Sequence, residues 1–336
     1  MDLSVIIPVY NTDPKDLRRC FDSVRSFKGI THEVLIIDDG SRKETARFCM
    51  EYAQVHPVFR YVRQENQGVS AARNEGLRQA AGRYVLFADA DDEVIPDAVH
   101  KEYLDQGDEI IVFDFELIEG KRRVKWKMFH RDAGGKLEKK EIFAAACRNL
   151  LNSSCSKLFL RSHLEAHNIS FDQTMVFAED ARFVFQTVMA AQKCRYIGRV
   201  LYRYYHSFGN GDRRLLRCPE RVVGNSIQLY EERRAALGRP EIGEMYTPKE
   251  LHSLKVDVSG WAVQDLFEAS GSLRIRGRLD KQINRLIFST AVRLHEEYGG
   301  EFTGKVRIKS MLLSRDCGLA IRMIAYLREI YIRIRR

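Results

Sequence analysis

Within the first ninety residues, a short apolar run ends four times in polar residues, and three segments of helical period separate the four runs. The runs are Leu3 to Tyr10, Glu33 to Ile37, Phe59 to Val62 and Tyr84 to Ala88. Each is long enough for a buried strand and too short for a helix. Asp13 and Pro14 open the first helical segment, whose stripe is Leu17, Cys20, Phe21, Val24 and Phe27, and Gly29 stops it. The second runs from about Lys43 to Gln54, and Ser70 opens a third through Ala81. Strands that alternate with helices require a parallel sheet with right-handed crossovers. Ile110 to Phe115 adds a fifth strand. In such open sheets ligands bind beyond the carboxyl ends of the strands. Those ends carry Asn11, then Asp38 and Asp39, then Asn66, then Asp89 and Asp91.

The fourth strand ends most abruptly, in Asp89, Asp91, Asp92 and Glu93. Carboxylates this close repel one another, and a divalent cation removes the repulsion. Mg²⁺ or Mn²⁺ is commonly held by one or two carboxylates, with phosphate and water completing the shell. The competing reading is a polar turn that caps a following helix with Pro96 in its first turn.

At 336 residues and 45% hydrophobic, the chain suits one large globular domain or two smaller ones. It has no apolar run of spanning length, and Met1-Asp2-Leu3-Ser4 enters a strand directly, without the basic start of a signal peptide. Seven scattered cysteines without a C-x-x-C pair argue against a disulfide framework or zinc site and for a reducing cytosol. A net charge of +9 suits a nucleotide, a nucleic acid or an anionic membrane equally.

Beyond Glu119 the segment Lys121 to Lys127 is basic around Trp126 and ends at Gly134-Gly135. It reads as a strand pair or loop on the acceptor side, or as a solvated hairpin with Trp126 packed underneath. Glu141 to Leu151 is helical, Phe177-Ala178-Glu179-Asp180 precedes an apolar helix from Phe183 to Ala191, and Ile197 to Tyr205 is a Tyr-rich strand ending at His206. From Pro219 the pattern is helical, with breaks near Gly238 and Gly299, so a boundary near residue 215 separates residues 216–336. In the tail, Leu319, Met323, Ile324, Tyr326, Leu327, Ile330, Tyr331 and Ile334 share one helical face, and Arg322, Arg328, Arg333, Arg335 and Arg336 take the remainder. That pattern fits an interfacial helix on anionic lipid, or a helix docked on the domain with a solvated basic side.

Ser4 to Asn11, Val34 to Ser41, Asn66 to Asn74 and Asp89-Ala90-Asp91-Asp92 resemble, in order and spacing, the family 2 glycosyltransferases of the GT-A fold. Ser156 to Phe159 and Phe177 to Asp180 add to the match, which covers roughly residues 1–210. The resemblance implies an α/β fold of Rossmann-like GT-A type, a mostly parallel sheet with flanking helices, followed by a C-terminal helical region. Residues 1–215 would form the glycosyltransferase domain, with a nucleotide-sugar half to about 115 and an acceptor half beyond. It implies that Pro8, Val9 and Tyr10 line the nucleotide pocket, that Asp39 reads the base, and that Arg73 and Asn74 lie near base and diphosphate. Asp89 would contact ribose or metal, Asp91 the metal, and Asp92 would share that duty. Asp180 matches the general base, with Glu179 beside it orienting the acceptor. Lys157 and His206 are further candidates for diphosphate, acceptor or metal contacts. For Asp38-Asp39 and for Glu179-Asp180, the plain alternative is a helix cap.

The expected activity is inverting transfer of a sugar from a nucleotide donor, most simply UDP-linked, to a glycan or lipid-linked acceptor, with Mn²⁺ or Mg²⁺. The expected location is the cytoplasmic face of the cell membrane. A metal-dependent nucleotidyltransferase would want a glycine-rich phosphate loop, which Pro8-Val9-Tyr10 does not offer. A nucleotide-sugar-binding membrane adaptor without turnover is the non-enzymatic alternative. Nucleic acid is not an expected partner, because the basic tail lacks an aromatic stacking platform.

Overall fold

The computed structural model of the chain describes residues 1–120, 122–131, 134–205, 215 and 217–334, with side chains through 328. Two compact units emerge: Met1–Ala146 with Leu150–Gln173 and Glu179–Ser207, and Cys147–Asn149 with Thr174–Ala178 and Phe208–Arg336.

The first unit is built on β1 (Leu3–Val9), β2 (His32–Asp39), β3 (Phe59–Gln64) and β4 (Tyr84–Phe87), with helices α1 (Pro14–Val24), α2 (Lys43–Val55) and α3 (Val69–Gln79) between them. The strands run parallel in the order β3, β2, β1, β4, as the βα alternation requires. β1 is buried on both faces, which is why it reads as an unbroken apolar run. Helix α3 lies so close to it that a Cβ on Gly76 would stand 2.3 Å from Ile6 Cγ2, so no larger residue fits there. The helix expected around Pro96 is only a 3₁₀ turn, Pro96–Ala98, with no side-chain cap, and a short α4 (Lys101–Asp105) follows.

Beyond β4 the parallel order is interrupted. After the two-residue β5 (Glu93–Val94) come β6 (Ile110–Glu119), β7 (Arg122–Trp126), β8 (Gly135–Leu137), β9 (Lys157–Leu160) and β10 (Cys194–Tyr205). β9 is inserted antiparallel between β4 and β6, and β10 then pairs parallel to β6. β7 folds back on β6 as a hairpin, with Trp126 exposed rather than packed underneath. Helices α5 (Lys139–Cys147), α6 (Arg161–Ala166) and α7 (Glu179–Ala190) complete this part. Phe87 on β4, Phe171 and Phe183 on α7 are buried together, with Phe171 and Phe183 stacked at 4.1 Å. Burying each such ring contributes about 2–3 kcal/mol, and the cluster fixes the start of α7 against the end of β4.

The second unit is helical: α8 (Pro219–Leu237), α9 (Pro240–Gly243), α10 (Pro248–Ile275), α11 (Lys281–Tyr298), α12 (Gly304–Ser314) and α13 (Gly318–Ile334). Thr247 and Glu250 form a reciprocal capping box at the start of α10, and Asp280 caps α11. One side of α13 is docked: Ile321 is fully buried, Ala325 lies against Gly271, and Arg328 pairs with Glu268 at 2.9 Å. A Cβ on Gly271 would come within 2.7 Å of the Ala325 Cβ. The opposite side is open, with Leu319 85% exposed and Met323, Tyr326 and Leu327 all more than half exposed. The docked reading holds for the side carrying Ile321 and Ala325, but most of the apolar face expected to cover the domain, Leu319, Met323, Tyr326 and Leu327, is open instead. Among the described residues, no helix is long and apolar enough to cross a membrane.

Candidate functional site

Every polar strand end of the first unit lies at the same edge of the sheet, because β1 to β4 are parallel. At the end of β1, Pro8 is half-buried, the Val9 side chain is in the core, and Tyr10 is 56% exposed. Asn11 takes a left-handed backbone (φ 53°), a conformation Asn tolerates better than most residues. From there its amide N–H donates to Ser41 Oγ at 3.0 Å and its Oδ1 accepts from the Arg42 amide at 2.8 Å, so the ends of β1 and β2 are tied together.

At the end of β2, neither aspartate caps α2, which begins after Arg42 without a side-chain cap. Asp38 is fully buried and accepts from the Ser41 amide (2.8 Å), Tyr61 Oη (2.6 Å) and Arg63 Nη1 (2.7 Å). Desolvation and this carboxylate push Tyr61 up to about 12. Asp39 accepts from Gln64 Nε2 (2.8 Å) and the amides of Gln67 (2.9 Å) and Gly68 (2.8 Å), so it shapes the loop that follows β3. A carboxylate offers about four lone-pair directions, and one remains.

At the end of β4 the charges are not balanced this way. Arg73, 3% exposed on α3, donates Nη2 to Asp89 at 2.9 Å and Nη1 to Asp180, and its Nη1 lies 3.7 Å from Glu179. One guanidinium therefore faces three carboxylates from two distant segments. Burial works against its charge, but Asp180 and Asp89 outweigh that, and its pKa is raised further. Arg73 Nε is buried without a hydrogen-bond partner among the described residues. Asn74 is likewise turned inward, donating to the Phe171 carbonyl and accepting from the Phe171 amide, both at 2.8 Å. The two residues expected near base and diphosphate are thus the struts that hold the segment before α7 against α3.

Asp180 accepts from the Ser154 amide at 3.4 Å, and its side chain is 22% exposed. Desolvation raises its pKa, Arg73 opposes this, and Glu179 and Asp89 add to it, for a result of about 6. That is close to the working range of a general base. Asp91 is exposed, and its pKa is raised by desolvation and by Asp89. Asp92 has a different partner set. It is 5% exposed, accepts from Tyr202 Oη (2.9 Å) and the Tyr205 amide (2.8 Å), and is pushed up to about 8 by desolvation and Asp89. The same Tyr202 hydroxyl accepts the Asp89 amide at 2.8 Å, so it fixes the turn between the acids. Lys157 lies beneath the site. It is fully buried, donates to the carbonyls of Ser153 (2.7 Å) and Cys155 (3.4 Å), and desolvation lowers its pKa to about 8. His206 lies outside the described residues.

Two contributors went unread in the sequence. Tyr202 was legible only as one of several tyrosines in β10, and Arg19, whose guanidinium bonds the Asp91 carbonyl and stacks 3.8 Å over the Tyr205 ring, gave no local signal. Among the described residues, no three acidic, histidine or cysteine side chains form a group that could hold a metal ion. Asp89 and the exposed Asp91 fit the other kind of site, in which two hard oxygens hold an ion completed by phosphate and water.

The fold is of the GT-A type, with an acidic strand end joined through Arg73 to a carboxylate of raised proton affinity. The sequence model described as glycosyl transferase family 2 matches residues 4–167. EpsH of Bacillus subtilis (strain 168), designated a glycosyltransferase, is 28% identical over 285 residues, covering 82% of this chain and 80% of the relative. Staphylococcal (S. aureus) TarS 1–349 in complex with UDP-GlcNAc superposes with a TM-score of 0.65 at 18% identity, over 96% of this chain and 92% of that one. The mannosyltransferase PcManGT from Pyrobaculum calidifontis, in complex with GDP-Man and Mn²⁺, gives 0.53 at 16% identity, over 98% and 87%. Residues 4–167 match that family model, and relatives and a solved structure that the chain resembles are named as glycosyltransferases.

Proposed function

We propose that the enzyme transfers a hexosyl or acetylhexosaminyl group from a UDP-linked donor to a hydroxyl of a glycan or lipid-linked acceptor, with inversion. The observation that carries this reading is the link, through Arg73, between the end of β4 and Asp180. Asp39, buried and already accepting three hydrogen bonds, would accept the imide N–H of uracil as a fourth, and the exposed Tyr10 ring lies at the same edge. Asp91, with Asp89, would hold Mn²⁺ or Mg²⁺, whose charge would stabilise the departing diphosphate. Asp180 takes the proton of the incoming hydroxyl, and Glu179 beside it orients the acceptor. The acceptor oxygen then bonds the anomeric carbon from the side opposite the diphosphate as the sugar–phosphate C–O bond breaks, a single displacement that inverts that centre. The strand ends of residues 1–115 serve the donor, and residues 116–215 the acceptor. A UDP-GlcNAc complex of TarS and an Mn²⁺ complex of PcManGT support the donor and metal classes.

A thermal-shift panel of UDP-, GDP- and CMP-sugars with and without Mn²⁺ tests this. A bound donor at 100 times its Kd stabilises by about 2.7 kcal/mol. A metal-dependent UDP-sugar shift, absent in Asp91→Asn, is expected, and a shift independent of metal overturns the assignment of Asp91. Donor binding without turnover would restore the adaptor reading.

The open apolar side of α13, with exposed Arg322 at its flank, supports a second part of the proposal: peripheral contact with an anionic membrane surface at the cytoplasmic face. Met323→Ser with Leu327→Ser should abolish co-sedimentation with phosphatidylglycerol vesicles while the melting temperature holds, since both side chains face away from the docked side. Unchanged sedimentation sinks this part.

A further inference from the structure

The sheet carries an aromatic row that leads from the candidate site to an open edge. Register places Tyr202 of β10 beside Phe115 of β6, and Phe115 beside Trp126 of β7. Directly paired residues share one face of a sheet, so the three rings stand on the same side, and Tyr204, two residues beyond Tyr202, joins them. The row is in contact along its length. Tyr204 meets Tyr202 at 4.6 Å and Phe115 edge-on at 5.1 Å, and Phe115 stacks on Trp126 at 6.1 Å with the planes only 5° apart.

Its inner end is fixed to the reacting groups. Tyr202 Oη holds the Asp89 amide and Asp92, the Tyr204 hydroxyl bonds Ser153 Oγ, and the next residue's amide, Ser154, donates to Asp180. Its outer end is Trp126, with one face covered by Phe115 and 51% of the residue exposed. An indole of this kind on an edge hairpin is unusual as packing. It leaves a large rigid apolar surface in water and, among the described residues, gains one ring contact. On its own face of β7, Trp126 is followed back along the strand by the half-buried Val124 and the exposed Arg122, while Arg123 and Lys125 are exposed on the other face.

We propose that Trp126 is the stacking platform of an acceptor-saccharide subsite, which lays the apolar C–H face of a sugar ring on the open side of the indole. The partner chemistry follows from the surface. A single flat ring with a small apolar neighbour and an arginine on the same face matches a pyranose, which is apolar on its faces and hydroxylated on its rim, whereas a lipid tail or a peptide helix would want a wider apolar area. The row places this subsite beyond Asp180 on the acceptor side, some residues away from the hydroxyl that reacts. It therefore binds a unit of the acceptor chain rather than the reacting sugar. This inference rests on the reading of Asp180 as the base.

The test uses the full chain carrying Trp261→Phe, so that Trp126 is the single tryptophan, and a panel of tetrasaccharides built from glucose, N-acetylglucosamine, galactose or alternating glucuronic acid. At least one should change Trp126 emission saturably, whereas UDP should not. With the tetrasaccharide that accepts sugar best, Trp126→Ala should raise the acceptor KM at least tenfold and Trp126→Tyr less than threefold, with the donor KM moving less than twofold. Trp126 is exposed, so neither variant should alter the melting temperature. An acceptor KM within twofold of the parent in Trp126→Ala overturns the proposal, and so does a panel that leaves the emission unchanged. Failure of the underlying reading shows separately, as donor hydrolysis that survives Asp180→Asn.

Discussion

Two acidic strand ends flank β1 in this sheet and have been given opposite fates. At the end of β2, Asp38 and Asp39 between them accept six hydrogen bonds from their own neighbourhood, from Ser41, Tyr61, Arg63, Gln64, Gln67 and Gly68. At the end of β4, Asp89 shares a single guanidinium with Glu179 and Asp180, while Asp91 is left exposed with its proton affinity raised. Both sequences look alike, an apolar run closed by aspartates. The first pair is compensated almost entirely by protein, with one acceptor direction of Asp39 left over, and builds a loop. The second is under-compensated, and a cation and a diphosphate would complete it. Uncompensated charge at the ligand edge of the fold is thus more informative than the number of acids.

The largest expected effect separates the two ends by function. Asp91→Asn should lower turnover by about 10²-fold or more, because a metal contributes several kcal/mol to transition-state charge. Its folded pKa is raised, so its ionised form costs stability that is absent at low pH and grows as pH rises. Removing that charge should leave the melting temperature at neutral pH equal or slightly higher. Full activity, or a marked loss of stability, would erase the distinction between the strand ends.

The converse substitution comes next. Asp38→Ala leaves Tyr61, Arg63 and the Ser41 amide without their acceptor at a fully buried position. Removing one partner of such a pair costs about 3–5 kcal/mol when both are buried, and roughly 2–3 kcal/mol here, because Arg63 is 45% exposed. Chemical denaturation should show this as a lower midpoint with an unchanged slope. A stability equal to the parent would mean that the pair at β2 is as poorly compensated as the one at β4.

The smallest effect is on the pH profile. Asp180 sits near pH 6 and must be ionised to accept a proton. Turnover at saturating substrates should fall about tenfold for each unit below pH 6 and stay level above it, until another group titrates. An acid limb near pH 4 instead would show that Arg73 compensates Asp180 as fully as Asp38 is compensated at β2.

Much of this was legible in the chain itself. Strand and helix periods are local, so β1 to β4 and α1 to α3 fall where their apolar patterns place them, within two or three residues at most ends. The helical C-terminal part was equally plain, with breaks at Gly238 and Gly299. The acids at β4 and the Glu179-Asp180 pair stand out because they sit on short, ordered motifs. The antiparallel β9 did not stand out as a strand, since Lys157–Leu160 is only four residues long and gains its identity from β4 and β6 on either side.

What the tertiary structure decided is the direction in which each side chain faces and what it meets there. Arg73 and Asn74 were expected near base and diphosphate, and the packing of α3 turns both inward to meet Asp180 and Phe171. Asp92 and Asp91 are adjacent in sequence and differ in role because Tyr202 and Tyr205, more than a hundred residues away, reach only Asp92. The two sides of α13 are distinguished by Gly271, which admits Ala325 at close range and leaves Leu319 and Met323 outside. Sequence determines periodicity, charge and the chemistry on offer, because these depend on neighbours along the chain. Compensation of that charge depends on neighbours in space, and only the folded sheet supplies them.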